Sequence, residues 1–339
     1  MDLALSDEQK QLVDSFGSLY ARASTPERVR AAEPIGFDSA LWRGLCDTGI
    51  LDMAVPERAG GWGATVADLA LTTEQHGRAL GSAPVVDAQV AATLLAASGA
   101  AGVELLDAVL AGTQLVTFAP RPGRGERLAM TPAGAVSDVV VALVDGVLVA
   151  VPTVGAAHVP NLASLPLADI VVGADHVVLA TGDEAAQHHS RALDLWLTLT
   201  AAALSGAAAR AVEMGVDYAK QRHAFGQPIG AFQAVSHTLA DCATAADGAR
   251  LLALRAACAQ QEDPARVTEL AAMAFGFAYE AAREATHRSL HIHGGYGFGL
   301  EGDIQLYYRR VRGWALVFGD ADAAMDRAAD ARYGKRIAG

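Results

Sequence analysis

The sequence predicts an α+β fold with helices first, strands second and helices again last. Three observations carry that expectation. Apolar residues recur at helical spacing as far as residue 114. β-Branched runs then take over from 115 to 182, and a long Ala/Leu periodicity with few breakers fills the rest. The expected organisation is an N-terminal helical domain over 1–114, a short middle β domain over 115–182 and a C-terminal four-helix bundle over 183–339.

Each part has its own local signals. Ser6 precedes Glu8, Gln9 and the apolar stripe Leu12, Phe16 and Tyr20, the pattern of a helix start capped by side chains. Leu41, Trp42 and Leu45 form another amphipathic turn. Val55-Pro56-Glu57 with Gly60, Gly61 and Gly63 then stops the helices, and 66–80 and 88–97 read as helical again. In the β part, strands are expected at 115–118, 139–144, 147–151 and 176–179. Asp145-Gly146 spells a hairpin turn between the middle two. Residues 120–134 read as a polar connection. Breaks in the final helices fall at 225–230, 261–264 and 294–302.

Composition narrows the function. Hydrophobic residues, dominated by Ala, make up 52% and aromatics only 6%, which favours helices packed closely through small side chains. A net charge of −12 argues against nucleic acid or an anionic membrane as partner. Cys46, Cys242 and Cys258 form no CxxC pair, so neither a disulfide framework nor a metal site is expected. The scattered cysteines fit a cytoplasmic protein. The acidic N-terminus does not read as a signal peptide. The apolar stretch 193–209 carries Asp194 and Ser205 and reads as a buried helix, with no membrane span expected. His188-His189 reads as solvated polar surface or a helix end.

Three segments together resemble the acyl-CoA dehydrogenase family. They are Val55-Pro56-Glu57 with its glycines, Gln221-Arg222-His223-Ala224-Phe225-Gly226-Gln227-Pro228-Ile229 followed by Phe232-Gln233, and His291-Ile292-His293-Gly294-Gly295-Tyr296-Gly297-Phe298 followed by Arg309 and Arg310. The resemblance implies FAD as cofactor and α,β-dehydrogenation of an acyl-CoA thioester. A base removes the α proton, the flavin takes the β hydride, and electrons pass to a separate electron-transfer acceptor. It also implies that one subunit's bundle receives the pyrophosphate and adenosine of the flavin held by its neighbour. The cofactor-side residues it assigns here are Arg222, Phe225, Gln227, Gln233, His291, Gly294 and Gly295. A guanidinium suits two phosphates, and bare glycine backbone permits close approach.

The same resemblance implies a missing base. Ungapped counting puts Gln305 at the base position of one branch of the family and Trp196 at that of another; neither accepts a proton near neutral pH. Glu301 and Asp194 are the nearby carboxylates that a remodelled site would recruit. The flavin-facing side is thin as well: Thr117-Phe118-Ala119-Pro120 stands for the first motif, and the β part has no Trp. The family's late Glu-Gly-Thr appears as Phe318-Gly319-Asp320. The expectation is a non-catalytic subunit paired with a full-length catalytic acyl-CoA dehydrogenase subunit as an α2β2 heterotetramer. The pattern is similar to the short subunits of actinobacterial steroid side-chain enzymes. Two other readings stand beside it: a self-sufficient flavoenzyme with a recruited base, and a non-enzymatic scaffold.

Overall fold

The computed structural model describes residues 4–334. Six helices come first: α1 (Asp7–Ala23), α2 (Pro26–Ala32), α3 (Ser39–Cys46), α4 (Val66–Arg78), α5 (Val85–Ala97) and α6 (Gly99–Leu110). Six strands follow: β1 (Val116–Phe118), β2 (Arg127–Thr131), β3 (Val139–Val144), β4 (Val147–Pro152), β5 (Ala168–Val171) and β6 (Val177–Thr181). Then come α7 (Gly182–Gln221), a small hairpin of β7 (His223–Ala224) and β8 (Gln227–Pro228), and the helices α8 (Gln233–Glu262), α9 (Val267–Ile292), α10 (Gly295–Phe298), α11 (Ile304–Leu316) and α12 (Ala321–Tyr333).

The local signals act as expected where their partners are near in sequence. Ser6 caps α1 through a reciprocal pair, its hydroxyl accepting from the Gln9 N–H while the Gln9 side chain accepts from the Ser6 N–H. Asp145 (φ 47°) and Gly146 (φ 84°) turn β3 into β4, so Val144 pairs with Val147 and Val139 with Pro152. The four-stranded sheet runs β1-β3-β4-β6. The segment 120–134 is more than a connection. It contains β2, which pairs antiparallel with β5 across an irregular register, Arg127 opposite Val171 and Thr131 opposite Ala168. His189 also differs from expectation. It is 5% exposed, with its ring 5.4 Å from that of Phe118.

The chain folds as two compact units. One is 27–69 with 82–196; the other is 1–26, 70–81 and 197–339. The first holds the four-stranded sheet and the β2–β5 pair, with a core of Val140, Ala142, Val149, Val151 and Ile170. The second holds the bundle, in which α9 packs against α8, α11 and α12. Every residue from Ala192 to Ala208 of α7 is buried. This is the one described helix long and apolar enough to cross a membrane.

Within the bundle unit, the C-terminal part of α4 meets α7 backbone to backbone. A Cβ on Gly77 would overlap the Ala203 carbonyl, and one on Gly206 would overlap the Glu74 carbonyl. Around this contact Arg78 bonds Glu213 at 2.8 Å, Arg250 bonds Glu74 at 2.8 Å, and the Tyr307 hydroxyl donates to the Arg78 carbonyl at 2.6 Å. Gly206→Ala is expected to lower stability by about 1–3 kcal/mol, because neither backbone can yield. Gly44→Ala, where a Cβ meets nothing within 4 Å, is expected to be neutral or to raise it. Thermal unfolding of the two variants checks the contrast.

Candidate cofactor-binding site

The expected cofactor residues gather where α7 and α9 end. Arg222 follows the last residue of α7; its N–H donates to the Tyr218 carbonyl and its carbonyl accepts from Ile229, at 2.8 Å each. This fixes the base of the β7–β8 hairpin. The hairpin turns through Phe225 (φ 53°) and Gly226 (φ 80°). A left-handed backbone suits glycine but strains a bulky aromatic. Phe225 sits there with 95% of its surface exposed, its ring 6.1 Å from Phe232 in an edge-on arrangement. Arg222, Gln227 and Gln233 are exposed beside it. Among the described residues the Arg222 guanidinium has no partner.

The second segment reaches the same place through a ring contact. Tyr218 lies one helical turn before Arg222, and its ring stacks on His293 with centroids 4.4 Å apart. The Ser289 hydroxyl donates to the Ala211 carbonyl at 2.6 Å, locking α9 to α7 two turns earlier. His293 is followed by Gly294 (φ 60°) and Gly295, both exposed, where an added Cβ would meet nothing of this chain within 4 Å. His291 is exposed on the last turn of α9. The result is a surface with an unpaired guanidinium, a bare glycine backbone and exposed rings. That donor set fits the diphosphate and adenosine of FAD: a cation for the phosphates, open backbone for close approach and π faces for a base.

The positions assigned to the base carry other contacts. Gln305 is 8% exposed, and its Oε1 accepts from Arg309 Nε at 2.7 Å. Trp196 is 2% exposed, and its Nε1 donates to Asp87 Oδ1 at 2.8 Å. Phe318, where the late triplet starts, packs edge-on against Phe275 with centroids 5.4 Å apart. Asp320, the last of that triplet, accepts from the Ala323 N–H and caps α12. Asp194 is buried at 4% and Glu301 is exposed. On the flavin-facing side Thr117 is fully buried, and its hydroxyl has no hydrogen-bond partner among the described residues. Among those residues no cluster of His, Cys, Asp or Glu is placed to hold a metal.

Sequence reasoning missed Asp87. Its carboxyl stands in the first turn of α5, and burial pushes it from 3.8 up to about 7 against the opposing hydrogen bond from Trp196. Nothing local in the sequence marks it, since its partner lies on another helix. The folded chain therefore holds this proton above the pH at which the unfolded chain releases it. The stability tied to the neutral acid is present below about pH 4 and is lost as the pH rises toward 7. Asp87→Asn keeps an acceptor for the indole and removes the charge. It is expected to match the native chain near pH 4 and to exceed it by on the order of 2 kcal/mol at pH 8, about half the full shift, since Asp87 as a residue is only half-buried. Urea unfolding at the two pH values tests this.

Comparisons with known proteins identify the family and the fold. The acyl-CoA dehydrogenase N-terminal domain matches residues 6–104 and the C-terminal domain residues 190–332. The acyl-CoA dehydrogenase IpdE2 of Mycolicibacterium smegmatis is 32% identical, covering 93% of this chain and 96% of its own length. The ChsE4–ChsE5 complex of Mycobacterium tuberculosis contains a chain of the same fold, with a TM-score of 0.88 at 24% identity, covering 99% of this chain and all of that one. The Tcur3481–Tcur3483 steroid acyl-CoA dehydrogenase contains another, with a TM-score of 0.86 at 26% identity, covering 96% and 98%. Members of this fold family are FAD flavoproteins. With its two terminal domains matched and a relative aligned over nearly its whole length, the chain belongs to the acyl-CoA dehydrogenase family.

Proposed function

We propose that this chain is the non-catalytic subunit of a heteromeric acyl-CoA dehydrogenase. It presents the surface for the adenosine and pyrophosphate of FAD, while a full-length partner subunit holds the flavin ring and the base. The observation that carries this reading is how the residues sort. Arg222, Phe225, Gly294 and Gly295 stand open at one surface, whereas Gln305, Trp196 and Phe318 carry no proton acceptor and are engaged in contacts of their own.

FAD, when bound, supplies the hydride acceptor for the acyl thioester once a base has taken the α proton. This chain's residues would act on the other end of the cofactor. Arg222 neutralises the phosphates, Phe225 extends from the strained hairpin as an apolar anchor, and the glycine loop sets the depth of approach. Gln227, Gln233 and His291 add hydrogen-bonding groups around it. Two of the similar folds come from structures named as paired chains, and one of those is named a steroid acyl-CoA dehydrogenase. These names support a two-subunit assembly and a steroid substrate; the α2β2 stoichiometry, the side-chain CoA ester and the separate electron acceptor follow the family resemblance.

A second reading keeps the chemistry in this chain, with Asp87 as the recruited base. That carboxyl accepts from Trp196, which stands at one of the two positions assigned to the base, and burial raises the pKa of the carboxyl. Flavin content separates the two readings. In the first, the purified chain is colourless, and co-expression with its full-length partner yields one FAD per two different chains. A yellow chain that reduces its own flavin on adding an acyl-CoA would sink the heteromer reading. In the complex, Arg222→Ala is expected to weaken FAD retention by about 10- to 100-fold, the worth of a charge-assisted contact, with Arg222→Lys intermediate. Flavin fluorescence after dilution measures it, and unchanged retention would remove Arg222 from the site.

A further inference from the structure

A cavity of about 230 Å³ lies between α3 and the connection from α6 to β1. It belongs wholly to the unit that holds the four-stranded sheet and shares no residue with the surface at the ends of α7 and α9. The spacing of α3 builds one wall. Leu41 and Leu45 are buried on the core side, which leaves Ser39, Trp42, Arg43 and Cys46, at helical intervals, along the cavity. Phe37 adds a second aromatic ring, and the buried Leu51, Val109 and Leu115 form an apolar floor. The mouth opens to solvent past Arg43, Thr113 and Asp138, all exposed.

Both walls are held by bonds within the chain. Asp38 caps α3 through the Ala40 and Leu41 N–H groups, and its carboxylate meets Arg28 at 2.8 Å. Its own N–H donates to the Ser82 carbonyl at 2.7 Å, which fixes Phe37 and Ser39 on either side. Opposite, the Leu115 N–H donates to Asp138 Oδ2 at 2.7 Å and the Asp138 N–H to the Leu115 carbonyl at 2.8 Å. The cavity is therefore formed before anything enters it. Its free polar groups are donors. Arg43 bonds only through Nε, to the Ser39 carbonyl at 3.3 Å, and its two terminal nitrogens have no partner among the described residues. The Trp42 indole N–H has none among them either. Burial, with Asp47 and Asp52 nearby, pushes the Cys46 thiol up to about 11, so it stays protonated and adds a neutral wall.

From this arrangement we infer that the cavity binds a small aromatic acid, its ring on Phe37 and Trp42 over the apolar floor and its carboxylate at the Arg43 guanidinium. A guanidinium donates well to a carboxylate, and offset or edge-on rings favour an aromatic guest over a saturated one. Asp138 opposes a cation less than it might, since one of its oxygens is already taken by the Leu115 N–H. Size sets the class. The volume falls below the roughly 300–1,000 Å³ of sites for drug-sized ligands, so it takes one ring with a short acidic arm and excludes a polycyclic body or a whole CoA thioester. The site is a place for a small effector, and it does not depend on whether this chain or a partner subunit carries the base.

Titration calorimetry of the full chain with phenylacetate tests it. One site per chain is expected, with a Kd of about 1 mM or tighter. Phenylacetamide, which has the ring without the charge, should bind about tenfold more weakly. Cyclohexylacetate, which has the charge without the π face, should bind about threefold more weakly. Arg43→Gln should bring phenylacetate down to the level of phenylacetamide. Cys46→Phe fills the cavity and should abolish binding. Circular dichroism shows whether Cys46→Phe has folded, and Arg43→Gln, at an exposed position, keeps the test decisive if it has not. The inference is overturned if phenylacetate does not bind at about 10 mM, or if benzylamine binds more tightly than phenylacetate. It is also overturned if either Arg43→Gln or a folded Cys46→Phe binds phenylacetate as the native chain does.

Discussion

The backbone contact between α4 and α7 sets the terms for the bundle unit. Gly77 and Gly206 let two helices meet at a distance that any side chain would prevent. Close approach brings the charged residues that flank the glycines within reach of one another. Arg78 finds Glu213 and Arg250 finds Glu74, so the pairs act as guides to helix register more than as sources of stability. Since α7 is one continuous helix to Gln221, its register at Gly206 also fixes the direction of Tyr218 three turns later. The position of Arg222 is therefore decided by a contact sixteen residues upstream.

On the proposed reading, the two halves of an acyl-CoA dehydrogenase site stand differently in this chain. The positions assigned to the base hold contacts within the chain, Gln305 with Arg309 and Trp196 with Asp87, and Phe318 of the late triplet packs on Phe275. Asp320 illustrates how such a change is absorbed. It caps α12, a role that any helix start can use and that has nothing to do with a cofactor. The surface at the ends of α7 and α9 is exposed, with an aromatic in a strained turn and, at Gly295, a glycine that neither backbone angle nor neighbour requires. Strain and unexplained glycine that persist beside so much reassigned structure are physical reasons to attribute a task to that surface.

What could be read from the sequence divides along the same line as locality. Ser6 with Gln9, and Asp145 with Gly146, act on neighbours within four residues, so their effects are written where they stand. The order of helices and strands follows from periodicities that are also local, and the family motifs are short. Other features depend on distant partners. β2 exists because Arg127 meets Val171, and its irregular register hides the alternation that marks a strand. His189 is buried because Phe118 lies against it, seventy-one residues away in sequence. Asp87 is perturbed because α5 places it against Trp196, more than a hundred residues on. Nor could the sequence reveal that His293 joins two motifs through Tyr218, since the residue that couples them belongs to neither.

The apolar middle of α7 bears on how the chain is made. Residues 192–208 are buried in the finished fold, yet they are apolar enough to resemble a membrane span while exposed. Part of their cover, α4, is synthesised before them, so the glycine contacts can form as soon as α7 leaves the ribosome. The contact of α9 with the later turns of α7, through Ser289 and Ala211, is complete only after residue 292, about seventy residues after α7 ends. At usual elongation rates of about 5–20 residues per second, that interval is roughly 4–14 s. For those seconds the segment has α4 and α5, through Gly77 and Asp87, but not yet the α9 contact that holds the later turns of α7.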